Sequence, residues 1–222
     1  MRPAPWRGIL PPAMMYHPFH LAALLPAAYL VGSIPCGFLL ARAVGIDLRK
    51  VGSGNIGATN VFRCAGKFLG ILAFVLDALK GFLPAFFLPA LYRSDPAAPV
   101  WLGLACGAAA VAGHNWPVWL GFRGGKGVST SAGMILGVAP AAVGIGFAVF
   151  IPVVLLTRWV SLSSILAALA VAAAGFAFYR ASNPILVAAL CLLALLVVWR
   201  HRSNIRRLLN GTEPRIVPRK KS

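Results

Sequence analysis

Six apolar stretches, joined by short polar links, restrict this chain to a lipid environment. They cover residues 20–44, 68–91, 100–120, 128–156, 160–178 and 185–199. About 20 apolar residues in helical form cross the hydrocarbon core of a bilayer, and most of these runs are that long or longer. Only 11% of the residues are charged and 59% are hydrophobic, whereas a soluble domain carries about a quarter charged residues. With a mean hydropathy of +0.82, a water-soluble globule of 222 residues could not bury its apolar surface. The expected fold class is therefore all-α, a polytopic membrane protein. Residues 20–199 form its helical bundle. Residues 1–19 form an irregular extension, in which Pro3, Pro5, Pro11 and Pro12 interrupt any signal-peptide core. Residues 200–222 form a basic C-terminal segment.

The charge is one-sided: 21 Lys and Arg face four acids, Asp47, Asp77, Asp95 and Glu213. In a soluble chain this would suggest nucleic acid. In a membrane chain it marks cytoplasmic loops and contact with anionic lipid headgroups, so no nucleic-acid partner is expected. Scarce, scattered acids exclude paired-carboxylate chemistry and suit an anionic substrate. Cys36, Cys64, Cys106 and Cys191 form no CxxC pair, and neither a disulfide framework nor a metal or cofactor site is expected.

The basic loops set the orientation. Arg49, Lys50, Arg63 and Lys67 place the first loop inside, and Arg123 and Lys126 the second. The link at residues 92–99 and the N-terminus are then outside. The tail from Arg200 carries eight basic residues and one acid and should be inside. Three simple crossings after the second loop would leave it outside. One run must therefore be broken, re-entrant or doubled, and Pro140 and Pro152 single out 128–156.

Three polar stretches carry the candidate chemistry. In the first, Gly52-Ser53-Gly54-Asn55-Ile56-Gly57-Ala58-Thr59-Asn60 followed by Arg63, glycines expose backbone N–H groups that can cradle an anion. Ser53, Asn55 and Thr59 add neutral hydrogen-bonding groups, and Arg63 adds a fork of donors for phosphate. A dinucleotide fingerprint is rejected because an apolar helix, not a strand, precedes it. The second, Arg123-Gly124-Gly125-Lys126-Gly127, is not a Walker A loop, because no Ser or Thr follows Lys126 directly. A helix starting near Val128 would aim its positive end at the same place. Each loop also has a plainer reading, as a tight interhelical turn or an ordinary basic loop. In the third, His201 and Asn204 lie three apart and share a helical face. The neighbouring arginines read as a lipid-headgroup anchor.

Asp77 and Lys80 can pair within the second apolar run. His114 is open to a structural or a functional role. Trp116 and Trp119 read as interfacial anchors, and Ser161, Ser163 and Ser164 could line a polar interior.

In three ordered blocks the sequence resembles the bacterial acyl-phosphate-dependent glycerol-3-phosphate acyltransferases. The blocks are GSIPCGFLLARAVGIDLRKVGSGNIGATNVFRCAGK at 32–67, GHNWPVWLGFRGGKGVSTSAG at 113–133 and HRSNIRRLLNGTEPRI at 201–216. Ser203 departs from the family, which usually has an acid there, and residues before His20 have no counterpart. The resemblance implies seven transmembrane helices, with the N-terminus outside and the C-terminus cytoplasmic, in the bacterial inner membrane. It implies transfer of a fatty acyl chain from acyl phosphate to the 1-hydroxyl of sn-glycerol 3-phosphate, giving lysophosphatidic acid and phosphate, the opening step of phospholipid synthesis. A functional link to an enzyme that makes acyl phosphate follows from the same resemblance. Ser53, Arg63, Lys126, His201 and Asn204 are the expected catalytic centre. Asn55, Thr59, Gly124 and Gly125 are expected to support substrate binding through side-chain or backbone donors. His201 and the acyl phosphate's own oxygen are equal contenders for the substrate proton, since no suitable carboxylate is expected nearby. The competing class is a transporter of phosphate or a phosphate ester, built around broken helices.

Overall fold

The computed structural model describes residues 18–89 and 100–216, with side chains from residue 23. The expectations for residues 1–17 and for the 92–99 link lie outside the described residues. Among the described residues ten α-helices follow in order: α1 (Pro18–Ser33), α2 (Cys36–Ala43), α3 (Ala58–Cys64), α4 (Lys67–Phe87), α5 (Val100–Asn115), α6 (Val128–Val138), α7 (Pro140–Thr157), α8 (Val160–Tyr179), α9 (Pro184–Arg200) and α10 (Arg202–Leu209). No strand occurs among the described residues.

Prolines set several of the breaks. Proline disfavours helical backbone at the residue before it. Accordingly α1 gives way to α2 at Ile34–Pro35, and the long run at 128–156 divides at Ala139, with φ −150° and ψ 67°, before Pro140. The suspected run is thus two helices, α6 and α7. Asn183 starts α9 by accepting the Leu186 N–H at 2.9 Å, with Pro184 in the first turn. The apolar run at 100–120 ends as a helix at Asn115, and a short 3-10 turn at Val118–Leu120 follows. The last run does not continue straight into the tail, because α9 and α10 meet at a 57° bend.

Among the described residues, four segments are long and apolar enough to cross a bilayer: Ala23–Ala43, Lys67–Phe87, Pro140–Thr157 and Val160–Tyr179. The bent pair α9 and α10 makes a fifth only when read as one span. Lipid tails give helices no hydrophobic reason to associate, so close contact between backbones must do that work. At Gly81 of α4 a side chain would collide with the Thr130 carbonyl of α6, and at Gly133 of α6 with the Ala78 carbonyl of α4. Gly32 and Gly113 seat α1 on α5 in the same way. Outward residues such as Phe68, Leu155 and Leu192 are largely exposed, which lipid tolerates and water would not. The bundle is therefore a multi-pass membrane protein.

The Asp77–Lys80 pair forms as expected, with Lys80 Nζ 2.9 Å from Asp77 Oδ1. Lys80 also donates to the Ile34 carbonyl at 2.8 Å, opposite the α1–α2 break. His114 Nδ1 stands 3.6 Å from the same carboxylate oxygen. A buried charge is tolerable only with such partners.

Candidate functional site

A cavity of about 410 Å³ opens at the end of the bundle where α4, α6 and α8 begin and α7 and α9 finish. Ser53, Asn55, Thr59, Arg63, Lys126, His201 and Asn204 all line it. Three stretches far apart in sequence thus meet in one wall.

Asn60, a member of the first stretch to which the sequence reading gave no role, shapes it. Its buried amide donates to the carbonyls of Leu48, at 3.2 Å, and Val51, at 3.1 Å, and its oxygen accepts from the Ser53 N–H at 3.0 Å. Gly52, at φ +61°, has no room for a side chain because the Asn60 oxygen stands there. Asn55 accepts from the Gly57 N–H at 2.9 Å, closing the turn before α3. The α3 helix then carries Thr59 and Arg63 along the cavity. Arg63 donates to the Pro214 carbonyl at 2.8 Å, while its buried Nε has no protein acceptor.

The second stretch is built differently from expectation. Gly124 and Gly125 are not part of the cavity lining. Their N–H groups are committed to the Asn115 carbonyl at 3.2 Å and the His114 carbonyl at 3.1 Å. That leaves neither glycine a backbone donor for a substrate. The lining instead runs from Lys126 through Ser129. The N–H groups of Lys126 and Gly127 have no acceptor among the described residues, and those of the first turn of α6 are unsatisfied by helix geometry. Donors suited to an anion are therefore present, shifted two residues along.

The third stretch bends at His201. His201 Nδ1 lies 2.8 Å from the Val197 carbonyl. A carbonyl only accepts, so Nδ1 carries the proton and Nε2 keeps the lone pair. Burial, and then the nearby Lys126 ammonium, push His201 down to about 4. Asn204 accepts from Lys126 Nζ through its oxygen and donates to Glu213 Oε1 at 2.7 Å through its nitrogen.

Glu213 is the main residue that sequence reasoning missed. Its Oε1 also accepts from Ser161 at 2.7 Å, and its Oε2 from Arg207 Nε at 2.8 Å. Burial works to raise this carboxyl, but the hydrogen bonds from Asn204, Ser161 and Arg207 outweigh it and hold it below the usual range. The segment around it is strapped across the site: Trp159 Nε1 donates to the Glu213 carbonyl at 3.2 Å and Ile216 N to the Arg158 carbonyl at 2.8 Å. The signal available was its place as the lone acid of the third block. Asp77 also reaches the cavity lining, with His114, so carboxylates distant in sequence do approach the site.

Lys126 sits at the centre. Burial lowers its ammonium to about 8; Glu213 opposes the shift, and the guanidinium groups of Arg207, Arg63 and Arg200 add to it. Burial also lowers Arg63. Below this cationic rim the wall turns apolar, through Phe74, Phe147 and Phe150. These residues and Ser164 also border a second, apolar chamber of about 80 Å³. The geometry suits a molecule with an anionic head and an apolar tail. No group of three or more His, Cys, Asp or Glu able to hold a metal occurs among the described residues.

Comparison with known proteins points the same way. The family model described as glycerol-3-phosphate acyltransferase matches residues 22–211. A glycerol-3-phosphate acyltransferase of Geobacter sulfurreducens is 48% identical over 192 residues, 86% of this chain and 95% of that protein. One from Anaeromyxobacter sp. (strain K) is 48% identical over 196 residues, 88% and 96% of the two chains. Among solved structures, the glycerol 3-phosphate form of PlsY (YgiH), an integral membrane glycerol 3-phosphate acyltransferase, matches with TM-score 0.81 and 41% identity, over 89% of this chain and 96% of that one. Its lysophosphatidic acid form matches with TM-score 0.78 and 40% identity, over 88% and 95%.

Proposed function

The chain belongs to the glycerol-3-phosphate acyltransferase family, and from that premise we propose that its cavity joins an acyl group from acyl phosphate to the 1-hydroxyl of glycerol 3-phosphate. The observation that carries the proposal is the meeting of Ser53, Arg63, Lys126, His201 and Asn204 in one cationic wall above an apolar one. Asn55 and Thr59 stand in the same wall. Gly124 and Gly125 contribute by holding the second loop in place.

Both substrates carry phosphate, and two such groups repel each other. Lys126, Arg63 and the N–H groups at the start of α6 offset that repulsion and hold the hydroxyl near the carbonyl carbon. Positioning of this kind is worth on the order of 7–11 kcal/mol in favourable cases. The hydroxyl oxygen bonds to the acyl carbon and the bond from that carbon to the phosphate oxygen breaks. The same cations stabilise the charge that collects on the departing phosphate. The acyl phosphate is already an activated anhydride, so the mechanism asks for no enzyme nucleophile. The hydroxyl proton goes to His201 Nε2 or to a phosphate oxygen of the donor. His201 Nε2 keeps its lone pair free for that proton because Nδ1 is engaged with the Val197 carbonyl.

The helix directions support seven crossings, with α1 and α2 as one broken span and α6 as a short one. The site would then lie at the cytoplasmic face of the bacterial inner membrane, with the N-terminus outside and the C-terminal segment 200–222 inside. The basic residues at the site end, including Arg49, Lys50 and Lys67, support that orientation. The bundle at 20–199 and the C-terminal segment act as one catalytic unit, because Glu213 completes the site.

The test supplies the purified protein with acyl phosphate and radiolabelled glycerol 3-phosphate, followed by lipid extraction. Label in lysophosphatidic acid supports the proposal. Label accumulating unchanged inside sealed vesicles would identify a transporter instead. In His201→Ala, near-total loss of turnover with intact glycerol 3-phosphate binding would assign the proton to the histidine.

A further inference from the structure

We propose that Arg200 is a positioning residue that holds the Gly125–Lys126 peptide with its N–H turned toward the cavity. Arg200 is not itself part of the lining, so it acts on substrate only through the loop. One of its terminal nitrogens donates to the carbonyls of Asn115 at 3.5 Å, of Gly124 at 3.4 Å, and of Gly125. Its guanidinium carbon stands 5.6 Å from the Trp116 ring centre and 5.8 Å from that of Trp199, which limits where the group can move.

The other edge of the loop is fixed too. The Gly124 and Gly125 N–H groups are tied to the Asn115 and His114 carbonyls. A side chain at Gly125 would collide with the His114 imidazole. All described peptide bonds are trans, and in a trans peptide the C=O and N–H point opposite ways. Drawing the Gly125 carbonyl onto Arg200 therefore turns the Lys126 N–H to the other side of the chain. That N–H has no acceptor among the described residues, and Lys126 is where the chain joins the cavity wall. Without Arg200, the carbonyls it serves lose their shared cation and the peptide is free to rotate.

This inference rests on the reading of the cavity as a phosphate site. The probe is inorganic phosphate, measured as an inhibitor of acyl transfer by the full-length protein in detergent, beside kcat and KM for glycerol 3-phosphate. Hydrogen bonds involving a charged group contribute roughly 1.5–3 kcal/mol. Misdirecting one donor should therefore raise the phosphate Ki and the KM of R200Q about tenfold or more, with a smaller fall in kcat. R200K can serve only part of the carbonyl set and should lie between, about three- to fivefold above wild type. A purely structural role would lower kcat through the loss of active molecules and leave Ki and KM unchanged. That result in R200Q overturns the inference. If R200Q does not fold, an R200K Ki equal to wild type overturns it as well. A wild-type enzyme that phosphate does not inhibit would overturn the phosphate reading and this inference together, whereas inhibition of wild type with an unchanged Ki in the variants overturns the positioning role alone.

Discussion

Raising the pH should silence this enzyme through Lys126, well before an ordinary lysine would lose its proton. Burial in the cavity wall brings Lys126 down to about 8, with Arg207, Arg63 and Arg200 adding to the effect against Glu213. A lysine in water titrates near about 10.4, so the difference corresponds to about 3 kcal/mol. Only the protonated amine attracts phosphate, and it is protonated below its own pKa. The value of kcat/KM for glycerol 3-phosphate should therefore be level near neutrality and fall above pH 8, approaching tenfold for each further pH unit. Neither partner group confuses that window: phosphate monoesters are dianionic above about 6, and His201 is neutral above about 4. Stability responds with the opposite sign. Between about 8 and about 10.4 the unfolded chain holds this proton and the folded one does not, so the Lys126 contribution to stability rises with pH. The assay is initial-rate label transfer into lysophosphatidic acid at fixed ionic strength, from about pH 6.5 to about 9.5. K126R keeps its cation throughout and should lose the alkaline fall whatever its absolute rate. A wild-type profile level to the end of that range, or a fall in K126R at the wild-type midpoint, would refute the reasoning.

Glu213→Ala leaves Ser161, Asn204 and Arg207 without their shared acceptor; steady-state kinetics should show about a 10- to 100-fold loss of kcat/KM, since hydrogen bonds to charged groups are worth about 1.5–3 kcal/mol. Asp77→Asn strands Lys80 in the bundle, and a thermal unfolding scan should register a loss of about 3–5 kcal/mol, most of it recovered when Asp77 and Lys80 are replaced together by apolar residues. Gly133→Leu drives a side chain into the Ala78 backbone and should abolish a monodisperse gel-filtration peak. Gly144→Ala, which meets nothing within 4 Å, should leave that peak intact and change stability by no more than about 1 kcal/mol.

What the sequence made legible was local chemistry. Ser53, Asn55, Thr59, Arg63 and Lys126 stand beside glycines, and that pattern says anion without reference to the rest of the fold. Pro140 located the break that divides the 128–156 run into α6 and α7, because proline disfavours helical backbone before it for a steric reason. The directions of individual groups were not legible. Whether the Gly124 and Gly125 N–H groups face a substrate depends on the His114 and Asn115 carbonyls, which the chain brings back beneath them. Glu213 joins Asn204, nine residues away, to Ser161, 52 residues away, and no periodicity links such positions. Asn60 looked like one polar residue among several in its block; its buried amide organises the loop only because Leu48, Val51 and Ser53 fold around it.

The committed hydrogen bonds also bear on how the chemistry proceeds. A covalent acyl-enzyme would need a hydroxyl or thiol paired with a base. Among the described residues His201 is bonded through Nδ1 to a carbonyl rather than through either nitrogen to a serine. Ser161 and Ser164 donate to Glu213 and to the Val160 carbonyl. None of the four cysteines belongs to the cavity lining. Glu213, the carboxylate that ties the wall together, is occupied by Asn204, Ser161 and Arg207 and is poorly placed to take a proton. What the wall does offer is cations held close together. Lys126 and Arg63 line it, with Arg207 bonded to Glu213 beside it; these cations outnumber that carboxylate and repel one another. A phosphoryl group relieves that repulsion on binding. Relief grows as charge moves onto the departing phosphate, so the same wall that binds the donor favours its cleavage. Direct transfer between two bound phosphate-bearing substrates, with the acyl chain held in the apolar half of the cavity, is the chemistry this arrangement suits.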